Sequence, residues 1–107
     1  MIRVIGGAND PATRLENRIG EPAANPYLYI ASQMVSGLDG IENQRDPGPS
    51  TDTPYETSAP PLPRSLLDAI LTLKNSSLFH EKFGNQFVDY LITLKEFEVT
   101  RFLTSVT

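Results

Sequence analysis

No cysteine occurs anywhere in the chain. That excludes disulfides, thiolate nucleophiles and Cys-ligated metal sites. Histidine is almost absent too: His80 is the only one, beside Phe79 in a short polar turn. It reads as a partly exposed helix-end residue and not as a metal ligand. Long apolar runs are also missing. No stretch reaches the roughly 18 residues that a membrane-spanning helix needs. The opening Met-Ile-Arg-Val-Ile-Gly-Gly lacks the apolar core of a secretory signal, so a cytoplasmic location is expected. Positive charge is scarce: 9 Lys and Arg stand against 13 Asp and Glu, a net charge of −4. Nucleic acid, whose binding rests on a positive surface, is therefore not an expected partner.

What is present suits one small folded unit. The 107 residues are 39% hydrophobic and 21% charged, an ordinary globular balance that predicts a packed core. The charge is unevenly placed. Residues 1–18 hold Arg3, Arg14 and Arg18 against only Asp10 and Glu16. An acidic chain that gathers arginines at one end can be keeping them for an anion.

Four regions follow from the local pattern. In residues 1–24, β-branched Ile2-Arg3-Val4-Ile5 predicts a short strand, and Gly6 to Pro11 a turn. A second strand of about six residues is expected within 12–19, since Pro11 and Gly20-Glu21-Pro22 leave no room for a long helix. In residues 25–41, Asn25-Pro26 forms a helix start, with Asn as cap and Pro at the first helical position. Tyr27, Leu28, Ala31, Met34, Val35 and Leu38 then recur at helical spacing. Gly37 and Gly40 put its end near residue 38. Residues 42–63 carry Pro47, Pro49, Pro54, Pro60, Pro61 and Pro63 and read as an irregular surface crossing. In residues 64–107, Ser65 and Asp68 resemble a capping box opening a helix over 65–74. Ser76-Ser77 caps a short turn. A long helix over 86–104 has Phe87, Tyr90, Leu91, Leu94, Phe97 and Phe102 as its apolar stripe. The expected class is α+β, mostly helical: one or two strands, then a helical bundle.

The chemistry concentrates on the second strand. Alternation puts Arg14, Glu16 and Arg18 on one face, and Leu15, Asn17 and Ile19 on the other. One reading is a solvated edge with cross-strand ion pairs. The other is a pocket where arginines grip phosphate or carboxylate through planar, two-point donors and Glu16 offers a hard cation its preferred ligand type. Spacing alone leaves both open.

Three motifs occur in order: Arg14-Leu15-Glu16-Asn17-Arg18, then Ala24-Asn25-Pro26-Tyr27-Leu28, then Gly37-Leu38-Asp39-Gly40-Ile41. Together they resemble the last catalytic stretch of the glutamine synthetase family. The Pro-rich crossing, the Ser-Leu-Leu-Asp-Ala helix start and Tyr90-Leu91-Ile92-Thr93-Leu94-Lys95 are similar to the family's C-terminal tail, so the likeness covers nearly the whole chain. Pro11-Ala12-Thr13 stands where the family more often has Lys-Ala-Arg.

The resemblance implies roles. Glu16 corresponds to a glutamate that ligates the metal on the ATP-phosphate side, and Arg14 to an arginine on the nucleotide phosphate. Arg18 corresponds to the arginine facing the substrate γ-carboxylate and the phosphoryl group moving onto it. Arg3 corresponds to a further phosphate-contacting arginine. The implied cofactors of an intact enzyme are ATP and Mg²⁺ or Mn²⁺, none of them tightly held by this chain alone. The implied partners are glutamate, ATP and ammonia or an amine, in a homo-oligomer. ATP would phosphorylate the glutamate side-chain carboxylate. Ammonia would then displace phosphate to give glutamine; relatives that use polyamines or other amines are the alternative. Only one of the family's metal ligands, Glu16, has a counterpart here, so the expectation is a piece of a larger active site, inactive alone. A non-catalytic helical interaction module is the competing expectation.

Overall fold

The computed structural model describes residues 2–56 and 58–106. Met1, Thr107 and, within the Pro-rich crossing, Thr57 lie outside the described residues. Two strands come first, β1 (Ile2–Ile5) and β2 (Arg14–Asn17), followed by α1 (Pro26–Glu42), α2 (Leu66–Lys74), α3 (Ser77–Phe83) and α4 (Asn85–Ser105). The mostly helical α+β class expected from the sequence is observed. The chain divides into two units, the first ending at Leu38 and the second beginning at Asp39, within α1.

In the first unit β1 and β2 form an antiparallel hairpin, with Ile2 opposite Asn17, Arg3 opposite Glu16, Val4 opposite Leu15 and Ile5 opposite Arg14. The loop between them is internally bonded. Asp10 Oδ1 accepts from the Ala12 N–H at 2.8 Å, and Thr13 Oγ1 donates to the Gly7 carbonyl at 2.8 Å. Gly6 sits at φ +88°, and a Cβ there would lie 2.6 Å from Thr13 Oγ1. Only glycine suits both the left-handed backbone and that approach. β2 is four residues long, not six, and Arg18 falls outside it. Directly after it Asn17 Oδ1 accepts the Ile19 N–H at 3.0 Å, a side-chain bond to the backbone that competes with continued strand pairing. α1 begins as expected, with Asn25 Oδ1 accepting from the N–H groups of Tyr27 (3.0 Å) and Leu28 (3.3 Å).

The end of α1 differs from the expectation. The helix runs through Gly37 and Gly40 to Glu42, since an internal glycine costs only about 1 kcal/mol and does not break a helix. Termination comes at Gln44, which adopts the left-handed region at φ +47°. The Arg45 N–H bonds the Gly40 carbonyl at 3.0 Å and the Gln44 N–H bonds the Ile41 carbonyl at 3.3 Å, the paired bonds of a Schellman ending. Asp39 reinforces it, accepting from Asn43 Nδ2 at 2.9 Å and from Arg45 Nε.

The second unit is built on helix packing. Ser65 Oγ accepts the Asp68 N–H at 3.0 Å and caps α2. Ser76 caps α3, which is a full short helix, and Gly84 at φ +85° turns the chain into α4. The core consists of Ile70 from α2 with Val88 and Ile92 from α4, and Leu73, Phe83 and Val99 pack against it. The buried face of α4 is therefore offset from the expected stripe. Phe87, Tyr90, Leu94, Phe97 and Phe102 are all exposed. The apolar surface of α4 is wider than the seam it shares with α2, and Val88 and Ile92, four apart, set that seam. No described helix is long and apolar enough to cross a membrane.

Candidate active-site strand

Residues directly opposite in an antiparallel pair share a face. The register therefore gathers Arg3, Ile5, Arg14 and Glu16 on one side of the hairpin, and Ile2, Val4, Leu15 and Asn17 on the other. Arg14 Nη2 donates to Glu16 Oε1 at 3.1 Å, and Arg14 Nη1 to the Ala12 carbonyl at 3.1 Å. This pair is half open to solvent, with Arg14 52% and Glu16 32% exposed. Arg3 and Arg18 have no ion pair among the described residues. The hairpin thus brings three of the four expected residues, Arg3, Arg14 and Glu16, onto one face. Arg18 lies one residue past the strand, where alternation no longer governs its direction.

Two exposed guanidinium groups without an ion pair among the described residues, and a third held by one carboxylate, make a surface suited to a phosphate or a carboxylate. A divalent cation is a different matter. Glu16 is the single carboxylate on this face, and it already accepts from Arg14. Among the described residues no three His, Asp or Glu side chains gather closely enough to hold a metal ion. His80 is engaged in the second unit, its Nδ1 2.7 Å from the Ser76 carbonyl and its Nε2 3.6 Å from Asp89. Two clefts of that unit, one between α2 and α4 and one beside Gly84, are lined mainly by apolar and aromatic residues, with Lys95 in the first and Gln86 in the second, and by no arginine.

The sequence reading passed over two residues near this strand. Asn17 stood only as a member of the opposite face and Gln33 drew no attention, yet Asn17 Nδ2 donates to Gln33 Oε1 of α1. The available signal was Asn17 itself, a residue depleted in strands placed between two charged ones.

All of residues 1–107 match the family described as "Glutamine synthetase, catalytic domain". The chain belongs to the glutamine synthetase family. A γ-glutamylanilide synthase from an Acinetobacter species is 53% identical over 104 residues, which cover 96% of this chain and 21% of that protein. The glutamine synthetase of Vibrio alginolyticus is 40% identical over 110 residues, 94% of this chain and 24% of that protein. Human lengsin is 32% identical over 94 residues, 84% of this chain and 18% of that protein. The chain thus spans about a fifth of the length of these relatives. No solved structure matches it. Enzymes of the glutamine synthetase family use ATP, a divalent metal, glutamate and an amine.

Proposed function

We propose that this chain is the anion-gripping part of an ATP-dependent ligase that joins the γ-carboxyl of glutamate to an organic amine. The observation that carries the reading is the hairpin face, where Arg3 stands opposite Glu16 and beside Arg14. The amine half of the reading is supported by the 53% identity to a γ-glutamylanilide synthase, against 40% for a glutamine synthetase. That contrast favours an amine over the ammonia expected first from the sequence.

In this reading Arg3 and Arg14 hold phosphate oxygens of ATP. Arg18 holds the substrate carboxylate as it becomes an acyl phosphate. Fixed cationic donors lower the barrier by offsetting charge on the transferring phosphoryl group. The amine then attacks the acyl carbon, phosphate leaves, and an amide forms. Glu16 supplies one carboxylate to a divalent cation whose other ligands lie outside this chain. The assembled enzyme is a cytoplasmic homo-oligomer.

A chimera tests the assignment. In it, this chain replaces the matching 104-residue segment of the Acinetobacter γ-glutamylanilide synthase. ADP release and amide formation are measured with aniline, a polyamine and ammonia. The expected result is turnover with an organic amine exceeding that with ammonia, and none from this chain alone. A folded chimera without turnover, or one that strictly prefers ammonia, refutes the reading.

A further inference from the structure

Asn17 stands between Glu16 and Arg18, and both of its polar side-chain atoms are engaged. Oδ1 accepts the Ile19 N–H at 3.0 Å, and Nδ2 donates to Gln33 Oε1. The backbone N–H can only donate, so the oxygen of Asn17 must face it. Nδ2 is left for α1, and Gln33 must therefore present an oxygen. Three residues on, Gly20 lies against the Tyr29 ring. A Cβ at Gly20 would come within 2.9 Å of Tyr29 Cζ and Oη. Gln33 and Tyr29 are four apart on α1 and share a face. The chain is thus pinned to α1 at 17 and at 20, and Arg18 lies between the pins.

The pins matter because Arg18 lies just beyond the β1–β2 pairing of the described residues. Among the described residues the β1–β2 register ends at Asn17, and an isolated two-stranded hairpin is marginally stable. Active-site groups act well only when held within about 0.5 Å of their productive position. We propose that Asn17 and Gln33 are positioning residues, and that through their bond α1 aligns Arg18 toward its anion. The inference rests on the reading of Arg18 as an anion grip. Neither residue touches the anion.

The test uses the whole chain, isotope-labelled, titrated with inorganic tripolyphosphate and followed by NMR at the Arg18 Nε–H. Four proteins are compared: wild type, Arg18→Ala, Gln33→Glu and Gln33→Met. Gln33→Glu keeps an acceptor for Asn17 and adds a negative charge near the anion. Gln33→Met keeps the size and neutrality but removes the acceptor. Alignment and simple charge therefore predict opposite orders. If the bond positions Arg18, Gln33→Met binds more weakly than Gln33→Glu by about 5-fold, the scale of one net hydrogen bond. The order parameter of the Arg18 Nε–H also falls in Gln33→Met alone. If Gln33→Glu is the weaker binder and Arg18 is equally ordered in both, the positioning role is overturned. Wild type failing to bind, or Arg18→Ala binding like wild type, refutes the anion-grip reading instead. The order parameters still decide the alignment in that case. Helix melting should be the same in all four, because the Ile70, Val88 and Ile92 core is untouched.

Discussion

Arg18 and Glu16 are neighbours in sequence, but the structure treats them differently. Glu16 sits within the ladder and accepts from Arg14, whereas Arg18 is outside the strand and has no ion pair among the described residues. The ion-pair explanation of this strand predicts that replacing either residue lowers stability. The structure argues against that, because an exposed carboxylate–guanidinium pair is worth at most about 1 kcal/mol. In the chimera, Arg18→Lys keeps the charge but loses the planar fork. The expected outcome is a fall in kcat of about 10²–10³-fold with the thermal midpoint nearly unchanged. Glu16→Ala should raise the KM for ATP more than it lowers kcat, separating a ground-state loss from a transition-state loss. Near-normal kcat in folded Arg18→Lys would remove the catalytic role. At this scale the sequence was legible for residue type and face: alternation put Arg14 and Glu16 together. It could not show that β2 spans only Arg14–Asn17, since a side-chain-to-backbone bond such as that of Asn17 to the Ile19 N–H is not written in propensity.

Helices show the same division. The starts of α1 and α2 were readable because Asn25 and Ser65 cap through their own side chains, within three residues of themselves. The end of α1 was not, because it depends on a glutamine in a backbone region where glycine or asparagine is usual. Asp39 holds that end. The Arg45 side-chain hydrogen bond pulls its carboxyl below the usual carboxylate range. The charges of Arg45 and Lys82 and the Asn43 amide add to this, and partial burial opposes it. A carboxyl whose folded pKa is depressed stabilises the fold above its unfolded pKa, and loses that contribution as pH falls through the folded value. The turn at 43–45 should therefore open as pH falls below the usual carboxylate range. Amide exchange at Asn43 and Arg45 would read this. Arg45→Gln should move the opening to higher pH, and an unchanged profile in that variant would show that the clasp does not hold the helix end. The stripe on α4 was misread by about one residue of rotation, because periodicity marks apolar positions but not which of them meets α2.

The two units differ in what holds them. The second has a core of buried residues, Ile70, Val88 and Ile92. The first has none among the described residues: Ile2, Val4 and Leu15 on its hairpin are 61%, 71% and 70% exposed. Unpaired strand edges beside an exposed apolar face recruit other chains. Hydrogen exchange on the dilute chain should find the strongest protection at the amides around Val88 and Ile92, and little at 2–5 and 14–17. Sedimentation should show association rising with concentration. Equal protection of β2 and α4 in a dilute monomer would contradict this picture.

Family membership, the α+β order of elements, two of the helix starts and the arginine-rich strand were determined by the sequence alone. All of these are written in residue types within a few positions of one another, where local sterics, capping and alternation act. Tertiary structure alone decided which face of α4 is buried, that Arg3 stands opposite Glu16, and that Gln33 reaches Asn17 across 16 residues. Those depend on contacts between segments far apart in the chain. Such contacts follow from how whole surfaces fit together, and no local pattern carries that information.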